Sequence, residues 1–235
     1  MMDAIALLIP SRGRPLELKR CIDSATVTEN YPEVLGIFPR LDDDDPAPYA
    51  VALESDDVLI SALRFPRGLG NLSEMWNQCQ AQAAAHCTIF MHCADDLIFR
   101  TQGWDDAVRA AFDAVPDRIA FVHGDDGHWG GTLGTHGFLH HRWVEAVGYF
   151  LPPYFSCDYN DTWLTEVADA IGRHVYLPDV LVEHMHPAFS KGPWDQTHEE
   201  RAARGLRDDV AGLYARLAPE RARDAEKLRA AMGMT

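Results

Sequence analysis

The chain has 235 residues, of which 47% are hydrophobic, 10% aromatic and 24% charged. This excludes a disordered or fibrous polymer and leaves enough chain for one sizeable core. Lysine and arginine total 21 against 36 aspartate and glutamate, and the resulting formal charge of −15 repels polyanions and counts against non-specific duplex binding. Cys21, Cys79, Cys87, Cys93 and Cys157 are odd in number and contain no C-x-x-C pair, so the expected setting is a reducing cytoplasm.

Asp3 stands where a secretory leader needs basic residues, and no stretch approaches the ~18 apolar residues of a membrane span. Ala4 to Ile9 reads as a strand, the turn Pro10-Ser11-Arg12-Gly13-Arg14-Pro15 follows, and Leu16, Leu18, Cys21, Ile22 and Ala25 begin a helix. Val34 to Phe38 is a second strand, ended by Pro39 and the acidic run Asp42 to Asp45. Val58 to Leu63 is a third apolar run, and Asn71 caps a helix over 72–85. Cys87 to Met91 runs into Asp95-Asp96, and Ile119 to Val122 runs into Asp125-Asp126. Beyond a glycine-rich stretch, 144–147 and 162–171 read as helical and 175–183 as extended, and 201–232 forms amphipathic helices. Alternating strands and helices predict βαβ units, a mostly parallel sheet, and ligands beyond the strands' carboxyl ends.

Acidic pairs directly after apolar strands suit Mg²⁺ or Mn²⁺, because adjacent carboxylates repel unless a cation lies between them. Asp also caps helix N-termini, and for any one pair that plainer role weighs equally. His184 and His186, two apart on an extended segment, point to one face and suit the far side of a metal shell. Arg12 and Arg14 offer guanidinium forks to a diphosphate. Asp158 and Asp161 open a helix, one as cap and the other free as a base. The aromatic and histidine cluster from Trp129 to Tyr159 suits stacking on a sugar ring or a flipped base.

In this order, IALLIPSRGRP, LDDDDP, GNLSEMWNQ, CADDLIFRTQGWDD, HRWVEAVGYF and DYNDTWLTEVADAIGRHVYLPDVLVEHMHP resemble the family 2 glycosyltransferases of the A-type (GT-A) fold. The resemblance covers roughly residues 5–194. It implies an α/β fold with a helix-flanked, mostly parallel sheet and a helical C-terminal tail. The catalytic domain would span 1–197, with a nucleotide-binding half over 1–100, an acceptor half over 101–197 and an extension over 198–235. It implies a metal-dependent hexosyl transfer from a nucleoside-diphosphate sugar, commonly uridine-linked, to an acceptor hydroxyl with inversion. Ser11, Arg12, Arg14 and Asn71 would lie against the nucleotide, and an acid such as Asp42 or Asp44 against base or ribose. Lys191 would close over the diphosphate. Asp95 or Asp96 with His184 or His186 would hold Mn²⁺ or Mg²⁺, and Asp161 would be the base, with Asp158 in reserve. Cys93 replaces the first acid of the D-x-D pattern, which keeps a non-catalytic sugar-binding protein in view beside a nucleotidyltransferase. A carbohydrate acceptor is favoured over a modified DNA base, and the C-terminal helices offer a surface for self-association.

Overall fold

A computed structural model describes residues 2–55, 57–68 and 70–234. Among the described residues, nine strands form one sheet. They are β1 (Ile5–Ser11), β2 (Leu35–Asp42), β3 (Leu59–Ile60), β4 (Leu63–Phe65), β5 (Ile89–His92), β6 (Leu97–Phe99), β7 (Phe121–Asp125), β8 (Phe138–His140) and β9 (His174–His184). The path is β3-β2-β1-β5-β8-β7-β9-β6, with β4 also on β2. Pairs β1–β2, β1–β5, β2–β3, β2–β4 and β7–β9 are parallel, whereas β5–β8, β7–β8 and β6–β9 are antiparallel. The parallel expectation therefore describes the first half of the sheet best.

Side chains alternate across β1, so Ile5, Leu7 and Ile9 enter one hydrophobic layer while Ala6 and Leu8 enter the other. Both faces are covered, which is why β1 is an unbroken apolar run. On the first face lie α1 (Pro15–Thr28), which buries Leu18, Cys21, Ile22 and Ala25, and α3 (Trp104–Asp113), which buries Trp104, Val108 and Phe112. The second face carries α2 (Leu72–Ala83), α4 (His141–Val147), α5 (Asn160–Ala170) and α8 (Ala218–Ala231), with α6 (Gln196–Arg207) and α7 (Val210–Arg216) leading into α8. No helix among the described residues is long and apolar enough to cross a membrane.

Asp224 anchors α8. It is 4% exposed, accepts from the Trp163 indole at 3.1 Å and from the Tyr149 hydroxyl, and has Lys227 at 3.6 Å. Asp224→Ala strands both donors, at about 1–3 kcal/mol each. For a chain of this size the melting temperature is expected to fall by roughly 4–24 °C in calorimetry. An unchanged melting curve would show that α8 is held elsewhere.

Candidate active site

The strand order reverses at β1, which has β2 on one side and β5 on the other. The loops leaving β1 and β5 emerge at the same end of the sheet, where such a reversal of strand order opens a crevice for ligands. A cavity of about 460 Å³ occupies this crevice.

Ser11, Arg12 and Arg14 from the β1 loop all line it. Ser11 Oγ donates to Asp95 Oδ2 at 2.7 Å, and the Arg14 guanidinium donates to Asp95 Oδ1 at 3.2 Å and to both oxygens of Asp195 at 2.7 Å. Arg14 also meets the His198 ring at 2.9 Å. Asp195 is the N-cap of α6 and forms a capping box with His198. Arg14 therefore ties the β1 loop, the β5 acids and the start of α6 into one unit. Thr197, His198, Glu200, Arg201 and Arg204 of α6 line the cavity too, so the segment beyond 197 is a wall of the site. Composition hid this, because charged residues on an amphipathic helix look alike whether they meet water or a cleft.

Three acids of the run after β2, Asp42, Asp44 and Asp45, are engaged by the protein itself. Asp42, 1% exposed, takes Arg12 at 2.9 Å and also Arg40, Asp44 pairs with Arg12 at 2.6 Å, and Asp45 accepts from Gly13 N, Ala47 N and the Tyr49 hydroxyl. Of these only Asp42 reaches the cavity wall. Asn71 caps α2 by accepting from Glu74 N at 3.0 Å and does not line the cavity. Lys191 also lies off the cavity, 3.0 Å from Glu183 and 3.4 Å from the Gly127 carbonyl. Asp126 accepts from His128 N, Trp129 N and Thr135 Oγ1, and Asp125 from Gly127 N. This third acidic pair folds its own loop, as turn-forming Asp residues do, and takes no part in the cavity.

Asp95, Asp96, His184 and His186 all line the cavity. Asp96 Oδ2 lies 3.4 Å from His184 Nε2, and His136 packs edge-on against His184 at 4.6 Å. Burial, then the nearby Asp96 charge, pushes the Asp95 carboxyl above the usual carboxylate range, against the pull of Arg14. Burial acts on Asp96 as well and is the largest single influence, but the His184 hydrogen bond together with the charges of His184, His136 and Arg14 outweighs it and holds Asp96 below the usual carboxylate range. The donor chemistry fits a divalent ion, a carboxylate beside imidazoles, and the Nδ1 atoms of His184 and His136 are buried without a partner. Among the described residues no group of three converges into a ready ligand set. Asp95 is turned toward Ser11 and Arg14 instead. Cys93, at the position of the missing first acid, is fully buried with its sulfur 3.9 Å from that of Cys21 and belongs to the core.

Asp158 and Tyr159 both have positive φ, 54° and 58°, a turn that starts α5 at the cavity edge. Arg201 holds Asp158 at 2.7 Å. Asp161 lines the cavity, accepts from Thr162 N at 2.7 Å, and among the described residues pairs with no cation. Burial first, then the Asp158 charge, raises its pKa above the usual carboxylate value. The geometry thus separates the two acids into an ion-paired one and a free one. Trp129, 45% exposed, lines the same cavity, as do Leu133, Thr135 and His136. His140 and His141 lie off the cavity, and Trp143 is buried in the second core layer.

No protein-family pattern and no curated protein matches the sequence. Solved structures do match in shape. TarS of S. aureus superposes with a TM-score of 0.61 at 11% identity, covering 77% of this chain and 37% of that one, and has also been solved with UDP and UDP-GlcNAc. A mannosyltransferase from Pyrobaculum calidifontis, solved with GDP-Man and Mn²⁺, gives 0.58 at 13% identity over 99% of this chain and 75% of that one. The catalytic domain of Drosophila beta1,4galactosyltransferase 7, solved with xylobiose, gives 0.51 at 16% identity over 85% and 79%. The chain spans little more than a third of the length of full TarS. At such identities the likeness concerns shape alone, and on it the α/β sheet described above has the fold of GT-A-type glycosyltransferases.

Proposed function

We propose that the chain transfers a sugar from a nucleoside-diphosphate sugar, uridine-linked by preference, to a hydroxyl of a carbohydrate acceptor. One observation carries this reading. The β1 loop, the β5 acids and a half-buried carboxylate that pairs with no cation among the described residues, Asp161, meet in a single cavity at the strand-order reversal. The printed complexes of the neighbours with UDP, UDP-GlcNAc and GDP-Man support the donor class.

In this reading Arg12 and Arg14 face the diphosphate, whose charge suits paired guanidinium forks. Asp161 accepts the proton of the attacking hydroxyl, since a raised pKa brings its basicity toward working pH. Trp129 offers a flat face to the acceptor ring. One base facing the anomeric carbon from the acceptor side implies direct displacement with inversion. Asp96, His184 and His186 are the residues that would hold a divalent cation, with Asp95 behind them. When bound, such a cation supplies charge neutralisation for the departing diphosphate.

A thermal-shift panel tests the reading. UDP and UDP-sugars are expected to raise the melting temperature, since a ligand that binds only the folded state stabilises it. Absence of a shift with every nucleoside diphosphate, with or without Mn²⁺, ends the proposal.

The pH profile gives a second test. Transfer should fall as pH drops through the raised Asp161 pKa, because the protonated acid cannot act as base. Asp158→Asn removes the neighbouring negative charge that helps raise it. The acid limb of kcat/KM is therefore expected to move to lower pH. A limb that stays in place, or moves up, assigns the titration to another group.

A further inference from the structure

Five arginines line the cavity: Arg12, Arg14, Arg67, Arg201 and Arg204. Four are matched by carboxylates. Arg12 meets Asp42 and Asp44, Arg14 meets Asp95 and Asp195, Arg67 meets Glu200, and Arg201 meets Asp158. Among the described residues Arg204 has no carboxylate in ion-pair range, and its Nε is buried without any hydrogen-bond partner.

Its placement is built by the fold. The Arg204 stem crosses Gly70, where a Cβ would stand 3.3 Å from Arg204 Cδ, and Gly70 has φ +71°, which favours glycine there. The next residue, Gly205, leaves its own Cβ position 3.4 Å from Cys157 Sγ and 3.9 Å from Asp158 Oδ2. Arg204 thus enters between the start of α2 and the turn that carries Asp158. Burial lowers the stability of its charged form, and Arg67 and Arg207 nearby do the same, against the more distant pull of Glu200, which is already paired with Arg67. A half-buried, unmatched guanidinium beside other cations costs free energy until an anion arrives.

We propose that Arg204 is a phosphate-binding residue of this cavity, contributed by helix α6. This rests on the transferase reading above. The phosphate belongs either to the donor diphosphate or to a phosphorylated acceptor, and guanidinium recognises both through the same paired N–H fork.

The test compares the wild-type chain with Arg204→Gln and Arg204→Lys by calorimetric titration with UDP, with uridine, and with inorganic pyrophosphate added to UDP-saturated protein. Equal melting temperatures establish that the variants fold. If Arg204 holds the donor, Arg204→Gln weakens UDP about ten- to a hundredfold and leaves uridine unchanged. If it holds an acceptor phosphate, UDP is unchanged while pyrophosphate binding to the saturated protein weakens by a similar factor. In either case Arg204→Lys, which keeps the charge and loses the fork, lies between. UDP and pyrophosphate affinities within twofold of wild type in both variants overturn the assignment. Should the wild-type chain bind no nucleotide, the transferase reading fails on its own, and pyrophosphate titrated into the free protein still decides the role of Arg204.

Discussion

Asp161→Asn is expected to leave UDP affinity within twofold of wild type while UDP release from UDP-sugars, with water or an acceptor, falls by about 10²- to 10⁴-fold. The asparagine keeps the shape and the hydrogen bond from Thr162 N, so the start of α5 is preserved. What it loses is the capacity to take a proton. The comparison with Asp158 sharpens the test, because Asp158 also lines the cavity but is already committed to Arg201. Asp158→Asn should therefore retain most of the rate at neutral pH. A reversal, with Asp158→Asn inactive and Asp161→Asn fully active, would falsify the assignment of the base.

The second large effect concerns the acids after β5. Mn²⁺ is expected to tighten UDP binding to the wild-type chain, and Asp96→Ala should abolish that increment, leaving the metal-free affinity in place. Asp96 is chosen over Asp95 because it faces His184 at 3.4 Å, whereas Asp95 is held by Ser11 and Arg14. His184→Ala should have the same effect, since it removes the imidazole that keeps Asp96 ionised. Titration calorimetry with and without Mn²⁺ reads both. If Asp95→Ala alone removes the increment, the ion lies on the Ser11 side and Arg14 must leave Asp95 to admit it. If metal makes no difference to the wild-type chain, Arg14 is the cation that faces the diphosphate.

The parts of this architecture that local chemistry specifies were readable before any coordinates. β1 is a buried run broken by a proline-rich turn, the β5 strand ends in two acids, and α1 repeats its apolar residues at helical spacing. Those patterns lie within a few residues of one another, so periodicity reports them. The sequence reading contains no helix over 104–113, although Trp104, Val108 and Phe112 of α3 recur every fourth residue, a usable signal. β6 and β8 have three residues each, too few to display an alternation. The third apolar run divides into β3 and β4 because β2 pairs with each separately. In the site, the sequence pattern marked Asp95, Asp96, Asp158, Asp161, His184 and His186, all of which meet in the cavity. It did not distinguish acids that face the cavity from acids that tie down their own loops, as Asp45 and Asp126 do. That difference is set by which backbone N–H groups come within reach, and it emerges only in three dimensions. The contribution of α6 is longer in range still and left no local trace.

That last contact has a bearing on how the molecule is made. Arg14 and Asp195 are 181 positions apart, yet both are needed to finish one rim of the cleft. A nascent chain that has released only its first two thirds can pair β1, β2 and β5, because their partners have already emerged. Its cleft stays open to water along one side until α6 leaves the ribosome. In the transferase reading, a chain that stops after the sheet has its scaffold but lacks the α6 side of its grip on a ligand.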